Sequence, residues 1–353
     1  MVISMGNRVR LVLQNGTEFS ASRFGADGEA VGELVFTTSM TGHLETVTDP
    51  GYYGQIVVQT FPAIGNSGVI REDFEGEHPV LSAYIVREWC QNPSNFRNEG
   101  VIDAFLKSEG IVGICDLDTR SLTRILRENG TMNACITSSG EDTSVIAARL
   151  NSHCITGGVD ATKPTAVVNA PDGDGPLVAV MDFGSRRSLY RQLEQAGYRT
   201  AVVPFGTSAA GMLAMKPDGI VLSDGPGNPA DLDTSVVSEL FKSSVPMLGI
   251  GLGHLVMAIA KGGKIEKLHY GHHGSSQPVR DMPSGKILIT SQNHSYATDA
   301  KQLPSGAVLR YVNVNDQTVE GLDYSDTSAF SVQFVPDTSV FDRFTASMKK
   351  GGC

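Results

Sequence analysis

The feature that most constrains the fold is the alternation of apolar strand-like runs with amphipathic segments after Leu177. Runs such as LVAVMD and GIVLSD have the composition of buried strands, and residues 186–197 carry apolar side chains at helical spacing. A parallel pair of strands needs a crossover connection, which is usually a helix. The pattern therefore predicts an α/β domain with a largely parallel sheet.

The first half of the chain has a different organisation. Asn15-Gly16 lies between two apolar-rich runs, which predicts a tight hairpin within residues 9–21. Apolar residues at helical spacing predict helices near residues 103–107 and 121–129. We therefore expect a mixed α/β domain.

Residues 151–176 separate the two patterns. They are rich in Gly, Pro, Asp, Asn and Thr, with too little apolar patterning for an element to pack. A length of 353 residues is about that of two ordinary domains. We predict an N-terminal domain over residues 1–150, a linker over 151–176 and a C-terminal domain over 177–353.

Composition and charge exclude several classes of protein. A net charge of −10 without a basic block disfavours nucleic acid as a partner. There is no apolar run of about 18 residues and no signal-peptide pattern, so we expect no membrane partner and a cytoplasmic location. The cysteines are odd in number and form no C-x-x-C pair, which indicates neither disulfides nor a zinc site: Cys90, Cys115, Cys135, Cys154 and Cys353.

Long motifs in both halves carry a family resemblance. Residues 31–69 and 94–136 resemble the domain peculiar to small chains of carbamoyl-phosphate synthase. The second half is similar to the class I glutamine amidotransferase domain of the same family, in the segments MDFGSRRSLYRQL, PDGIVLSDGPGNPAD, PMLGIGLGHLVMAIA, YGHHGSSQPV and ITSQNHSYA. The resemblance extends over nearly the whole chain.

The resemblance implies a function in an active family member. Such a small chain hydrolyses glutamine with a Cys-His-Glu triad and passes ammonia through a tunnel to a large chain. There the ammonia joins bicarbonate and ATP to form carbamoyl phosphate for pyrimidines and arginine. The implied partner is that large chain, in a heterodimer, and no cofactor is implied.

The triad positions of the family are altered in this chain. The nucleophile belongs on a strand-to-helix turn of the form G-x-C-x-G, where Gly251 stands instead of cysteine. The motif Q-G-H-P-E reads Q-F-V-P-D, so Val335 replaces the histidine base and Asp337 replaces the glutamate. No catalytic residue is intact, and we expect the Asp337 carboxylate to be solvated or to stabilise a loop.

The glutamine pocket implied by the family is only partly retained. Leu255 replaces a glutamine residue that helps to hold the substrate in the family. A leucine side chain cannot form hydrogen bonds with the polar groups of a glutamine ligand. The other pocket positions either match the family or, in the last two cases, match in part: Ser39, Gly225, Gly227, Leu252, Asn293, Ser295 and Tyr296. A residual pocket that binds glutamine weakly stays open as an alternative.

Four histidines raise the question of a metal site or a substitute base: His254, His272, His273 and His294. His272 and His273 are neighbours in an extended segment, so their side chains point apart. We expect structural hydrogen bonding for these histidines and no metal.

These substitutions lead us to interpret the chain as a degenerate glutaminase that acts as a structural or regulatory partner of the large chain. Two alternatives stay open. One is an active glutaminase with an unrecognised nucleophile that supplies ammonia to the large chain, and the other is a repurposed binding module without such a partner.

Overall fold

The structure is a computed structural model that describes residues 8–164 and 166–350, with the side chain of residue 350 excepted. Cys353 and the first seven residues lie outside this range. The chain divides into two compact units, the first ending at Thr156 and the second beginning at Gly157. The domain limits 1–150 and 177–353 stay a prediction.

The first unit is built around a closed barrel. Its strands follow the barrel order β1-β2-β8-β6-β4-β3-β9, while β5 and β7 pair separately. The strands are β1 (Arg8–Leu13), β2 (Glu18–Gly25), β3 (Ala30–Thr37), β4 (Gln55–Gln59), β5 (Ala63–Ile64), β6 (Ala83–Ile85), β7 (Glu88–Trp89), β8 (Val112–Cys115) and β9 (Met132–Thr137). The helices are α1 (His43–Thr48), α2 (Ile102–Ser108), α3 (Thr119–Asn129) and α4 (Thr143–Leu150).

The hairpin and the helices that local sequence patterns predicted in this unit are confirmed. β1 and β2 form the expected antiparallel hairpin, in which Val9 pairs with Ala21. Gly16 in its turn has φ of 82°, a conformation that costs glycine little. α2 and α3 lie where the helical spacing predicted them.

The segment that we predicted to be a linker contains an element that packs. Residues Gly158–Thr162 form the short helix α5, and Val159 is buried in the core of the second unit. Val168 also pairs with Val202. The expectation that nothing packs in residues 151–176 is therefore wrong, because one buried valine is enough to anchor a single helical turn.

The second unit contains nine strands and five further helices within the described residues. The strands are β10 (Leu177–Asp182), β11 (Arg199–Pro204), β12 (Gly219–Leu222), β13 (Met247–Ile250), β14 (Ile265–Asp281), β15 (Ile287–Thr298), β16 (Ala307–Asn313), β17 (Val319–Tyr324) and β18 (Ala329–Val332). The helices are α6 (Arg187–Gln195), α7 (Ala209–Ala214), α8 (Ser235–Leu240), α9 (Leu252–Ala260) and α10 (Thr338–Lys350).

These strands form one mixed sheet with the order β11-β10-β12-β13-β18-β17-β15-β14-β16. The first five of them are parallel, as the strand and helix alternation predicted. The remaining four are antiparallel, and they include the long hairpin of β14 and β15. The parallel half is thus confirmed, while the antiparallel extension was not visible in the alternation.

The parallel half of the sheet is covered on both faces. Core residues from α7, α8 and α9 pack on one side, with Met212, Leu240 and Val256 fully buried. α6 and α10 cover the other side through Leu193 and Phe344. The carboxyl ends of the strands stay open to their connecting loops, which is where sites form in such sheets.

Two expectations from composition concern membranes and thiols. No helix within residues 8–164 and 166–350 has both the length and the apolar character that a bilayer crossing requires. The four described cysteines are free thiols, at positions 90, 115, 135 and 154.

Candidate functional site

The strand-to-helix turn predicted at residue 251 is present. β13 ends at Ile250, α9 begins at Leu252, and Gly251 alone connects them with φ of 53° and ψ of −111°. The Gly251 N–H donates to the carbonyl of Val332 at 2.9 Å, which ties the turn to β18. The turn therefore keeps its geometry although it offers no nucleophile.

The space around Gly251 is occupied. A Cβ atom placed at this position would lie 2.8 Å from Cβ of Asp224, closer than side chains normally approach. Its φ also falls in the left-handed region, which costs any residue with a Cβ. Glycine therefore relieves both the steric and the backbone strain at this turn.

The loop after β12 lies against the turn. The Gly253 N–H donates to the carbonyl of Ser223 at 2.9 Å, and this bond joins the start of α9 to the segment that holds Gly225 and Gly227. Close packing requires a glycine at position 225, because a Cβ atom there would lie 2.4 Å from the carbonyl oxygen of Phe183. The segment that holds these two predicted pocket positions is thus joined to the turn at Ser223.

Val335 follows the strand that neighbours the turn. Ile250 pairs with Val332 in parallel register, so the ends of β13 and β18 lie side by side. The Val335 N–H donates to the carbonyl of Ser291 at 2.9 Å, and its side chain is half-buried. An isopropyl group stands where a proton acceptor would be required.

Asp337 stabilises the start of α10, as expected for a loop-stabilising carboxylate. It is exposed, and its Oδ1 accepts the backbone N–H of Val340 at 3.2 Å and the hydroxyl of Ser339 at 2.6 Å. This is the bonding of a helix N-cap.

We expect Asp337→Ala to lower the free energy of unfolding by about 1 kcal/mol, because the first turn of α10 loses its cap. Chemical denaturation monitored by circular dichroism measures this change. Asp337→Ser retains a capping oxygen and is the matched control. An equal loss in both variants would contradict a capping role.

The other predicted pocket residues have separate environments. Leu252 and Leu255 are buried in α9, with exposed fractions of 5% and 3%. On β15, Asn293 Oδ1 lies 2.8 Å from Nδ1 of His273, while Ser295 and Tyr296 are half-buried.

Ser39 belongs to the first unit, in the segment after β3. Its N–H donates to Oγ1 of Thr37 at 3.3 Å, and its carbonyl accepts the side-chain amide of Gln59 at 2.5 Å. Its part in a glutamine pocket stays a prediction.

An ion pair beside the turn was missed by the sequence analysis. Arg186 Nε lies 2.8 Å from Oδ2 of Asp224, and both side chains are 17% exposed. Ser185 donates its hydroxyl to the other carboxylate oxygen at 2.6 Å. The sequence did contain information that could have predicted this pair. Arg186 and Asp224 each follow one of two adjacent parallel strands, and the carboxyl ends of such strands lie side by side at one edge of the sheet.

His254 has a structural role in α9. Its Nδ1 lies 2.8 Å from Oγ of Ser331 and its Nε2 3.1 Å from Oγ1 of Thr298, so the ring links the helix to two strands. Burial lowers the pKa of His254 to about 3. The neutral ring is committed to hydrogen bonds and is not a replacement base.

Two thiols in the first unit are unreactive. Burial raises the pKa of Cys115 to about 12 and the pKa of Cys135 to about 11. A thiol must ionise before it attacks. Neither of these groups is a nucleophile near neutral pH.

Comparison with known proteins decides the family. Residues 11–136 match the model of the CPSase domain of the carbamoyl-phosphate synthase small chain, and residues 179–344 match glutamine amidotransferase class I. A carbamoyl phosphate synthase small chain from Oceanobacillus iheyensis is 39% identical over 97% of this chain and 98% of its own. The chain belongs to the carbamoyl-phosphate synthase small chain family.

Further small chains in this family show the same extent of similarity. The one from Lactococcus lactis subsp. cremoris is 40% identical over 93% of this chain and 92% of its own. A solved structure of a glutamine amidotransferase from Thermotoga maritima is similar over 51% of this chain and 84% of its own. Its TM-score is 0.37 and its identity is 15%. The family assignment rests on the small chains, which are similar along both units.

Proposed function

We propose that this chain is a small chain without glutaminase activity, which binds a carbamoyl-phosphate synthase large chain and leaves it to use free ammonia. Gly251 carries the proposal. It stands at the apex of an otherwise formed nucleophile turn, with φ of 53° and ψ of −111°. Covalent catalysis needs a nucleophilic atom at that position, and glycine has none.

The replacement of the base supports the same conclusion. Val335 lies three residues beyond the end of β18, the strand that pairs with β13, at the position where the family places the histidine. A valine cannot accept the proton of a nucleophile or return it to the leaving amine. The candidate orienting carboxylate, Asp337, is committed to the cap of α10. All three catalytic tasks therefore lack a side chain to perform them.

Glutamine binding is also expected to be weak. Leu255 is 3% exposed and offers no hydrogen bond to a ligand amide. The Arg186 and Asp224 charges beside the turn neutralise each other and are not free to pair with a glutamine carboxylate or ammonium group. Unpaired polar groups weaken small ligands quickly, so a residual pocket would hold glutamine poorly.

The biological setting of the proposal follows from the family. We place the chain in the cytoplasm, in a heterodimer with the large chain, and in the supply of carbamoyl phosphate for pyrimidines and arginine. The first unit supports partnership, because residues 11–136 match the family's own CPSase domain. In this role the small chain stabilises or regulates its partner without feeding it ammonia.

The test compares two nitrogen donors. The chain is mixed with its cognate large chain, association is measured by size-exclusion chromatography with light scattering, and carbamoyl phosphate is quantified from ammonium and from glutamine. We expect a complex whose ammonium-supported rate is retained. The glutamine-supported rate should be at least about 10³-fold lower than in an active pair, because neither nucleophile nor base is present.

Two controls are assayed in parallel. The large chain alone with ammonium gives the reference rate from ammonium, and a complete active pair gives the reference rate from glutamine. Glutamine-supported turnover equal to the ammonium rate would refute the loss of glutaminase activity. Failure of the two chains to associate would instead refute the partnership and favour a repurposed binding module.

A further inference from the structure

Three strands of the antiparallel half bring two histidines and a glutamate together. His272 lies on β14, His294 on β15 and Glu320 on β17, and one ligand atom of each lies within 4.8 Å of the others. All three are buried, and Glu320 has an exposed fraction of 0%. A buried carboxylate next to two imidazoles requires its hydrogen bonds to be accounted for atom by atom.

The protonation of His294 follows from its neighbours. Its Nδ1 lies 2.9 Å from the carbonyl oxygen of Tyr296. A carbonyl can only accept, so Nδ1 carries a proton and donates it. In the neutral ring the other nitrogen, Nε2, then presents a lone pair, which points away from Tyr296 into the cluster.

The orientation of the Gln292 side chain places a second lone pair in the cluster, next to Nε2 of His294. Thr290 donates its hydroxyl to the carbonyl of Gln277 at 3.0 Å, so this hydroxyl can only accept from the Gln292 amide, whose Nε2 lies 3.1 Å away. The amide oxygen of Gln292 must therefore face Nε2 of His294, at 3.2 Å. With a neutral His294 ring, two electron-pair donors therefore point at each other, which hydrogen bonding alone does not explain.

Glu320 contributes a third electron-pair donor to the cluster. Its Oε2 has no hydrogen-bond partner within the described part of the chain and lies 3.8 Å from Nε2 of His294. Its Oε1 lies 3.2 Å from Nδ1 of His272. A fully buried carboxylate oxygen without a partner is costly unless a cation or a proton occupies the space in front of it.

His272 completes a pattern that is typical of metal ligands. Its Nε2 lies 2.7 Å from Oδ2 of Asp316. If that nitrogen donates to the carboxylate, Nδ1 turns its lone pair toward Glu320. Histidines that bind zinc usually donate the distal N–H to a carboxylate or a backbone carbonyl. His294 does so here with Tyr296, and His272 would do so with Asp316.

We propose that His272, His294 and Glu320 bind a divalent transition metal ion, with zinc the best fit, and that the Gln292 amide oxygen is its fourth ligand. Two imidazoles and two oxygen atoms suit a tetrahedral zinc ion. Bonds of about 2.0–2.2 Å place ligand atoms about 3.3–3.6 Å apart. The contacts of His272 and His294 with the Glu320 carboxylate, at 3.2 and 3.8 Å, are close to this range. The three ligand atoms lie within 4.8 Å of one another and would draw closer when the ion binds.

The charges and the position assign a structural role to the ion. Two positive charges offset the carboxylates of Glu320 and Asp316, which would otherwise share the charge of one imidazolium. Four protein ligands leave no open position for a substrate. The ion would join β14, β15 and β17, and the site is independent of the degenerate triad and of the proposed function.

The experiment uses the full chain without an affinity tag and zinc alone as the probe. After chelation and removal of the chelator, the chain is titrated calorimetrically with zinc, and bound metal is counted by mass spectrometry. We expect about one ion per chain. At free zinc about 100 times the dissociation constant, the melting temperature should rise by roughly 5–10 °C. Cobalt should give the visible absorption of a tetrahedral site.

Two variants and one control make the test decisive. Glu320→Gln keeps the shape of the side chain and should weaken zinc binding more than 100-fold, whereas Asp316→Asn, near the surface, should weaken it about 10- to 100-fold. His269→Gln removes an exposed histidine from the same strand and should change nothing.

Absence of stoichiometric zinc together with an unchanged melting temperature would overturn the proposal. It would mean that a proton fills the space. Equal zinc affinity in Glu320→Gln, or loss of zinc in His269→Gln, would show adventitious surface binding and would also overturn it. If Glu320→Gln does not fold, the affinity of Asp316→Asn decides.

Discussion

Glutamate release from glutamine is expected to stay at background when Gly251 alone is changed to cysteine. The new thiol would lack a base, because Val335 cannot take its proton. Loss of a catalytic triad lowers kcat by about 10⁶-fold in a well-studied protease. Removing the nucleophile or the base alone costs about as much, because the residues of the triad act as a unit. We therefore expect Gly251→Cys to gain less than about tenfold over the unmodified chain.

The geometry of the turn adds a second obstacle. A Cβ at position 251 would lie 2.8 Å from Cβ of Asp224, so the side chain must displace the loop that carries the Arg186 ion pair. The cysteine would therefore be held in a strained turn without its catalytic partners.

A coupled assay for glutamate measures the activity, and alkylation of the new thiol shows that it is exposed. Gly251→Ser is the matched control, since it introduces the same steric strain without a thiol. The double variant Gly251→Cys, Val335→His restores nucleophile and base together. Turnover in Gly251→Cys alone, equal to that of an active small chain, would contradict a lost base.

Gly253→Ala is expected to be strongly destabilising. A Cβ at this position would be 2.2 Å from the carbonyl oxygen of Leu222 and 2.6 Å from its carbonyl carbon, so the added atom would clash with backbone that cannot easily move. Alanine within a helix gains about 1 kcal/mol over glycine. Overpacking costs about 1–3 kcal/mol and more where no flexible group can yield. We expect a net loss of about 3 kcal/mol or non-folding of the second unit.

Thermal and urea unfolding of the purified variant measure this loss. Gly140→Ala is the matched control, because a Cβ there meets nothing within 4 Å and the backbone is not left-handed. It should lie within about 0.5 kcal/mol of the unmodified chain. A Gly253→Ala chain as stable as Gly140→Ala would show that α9 is not packed closely on β12.

Much of the fold was predictable because it depends on local patterns. The hairpin at Asn15-Gly16 and the helices α2 and α3 follow from residues that are neighbours in sequence. The parallel strands follow from apolar runs separated by helical spacing. The short helix Gly158–Thr162 was missed, because a single turn with one buried valine leaves no periodicity to detect.

The candidate site was predictable only in its chemistry. The missing thiol and imidazole at positions 251 and 335 can be read directly from the motif. The obstruction at the turn could not, since Asp224 approaches Gly251 only when β12 and β13 are paired.

By itself, the sequence determined the family, the alternation of elements and the replacement of the family's triad residues at positions 251, 335 and 337, because each depends on residue identity at short range. The tertiary structure decided which distant groups meet. Glu320 is far from His272 along the chain, and the two pair only because β14, β15 and β17 lie in one sheet. Strand pairing depends on packing across the whole domain, so no local pattern reveals that cluster.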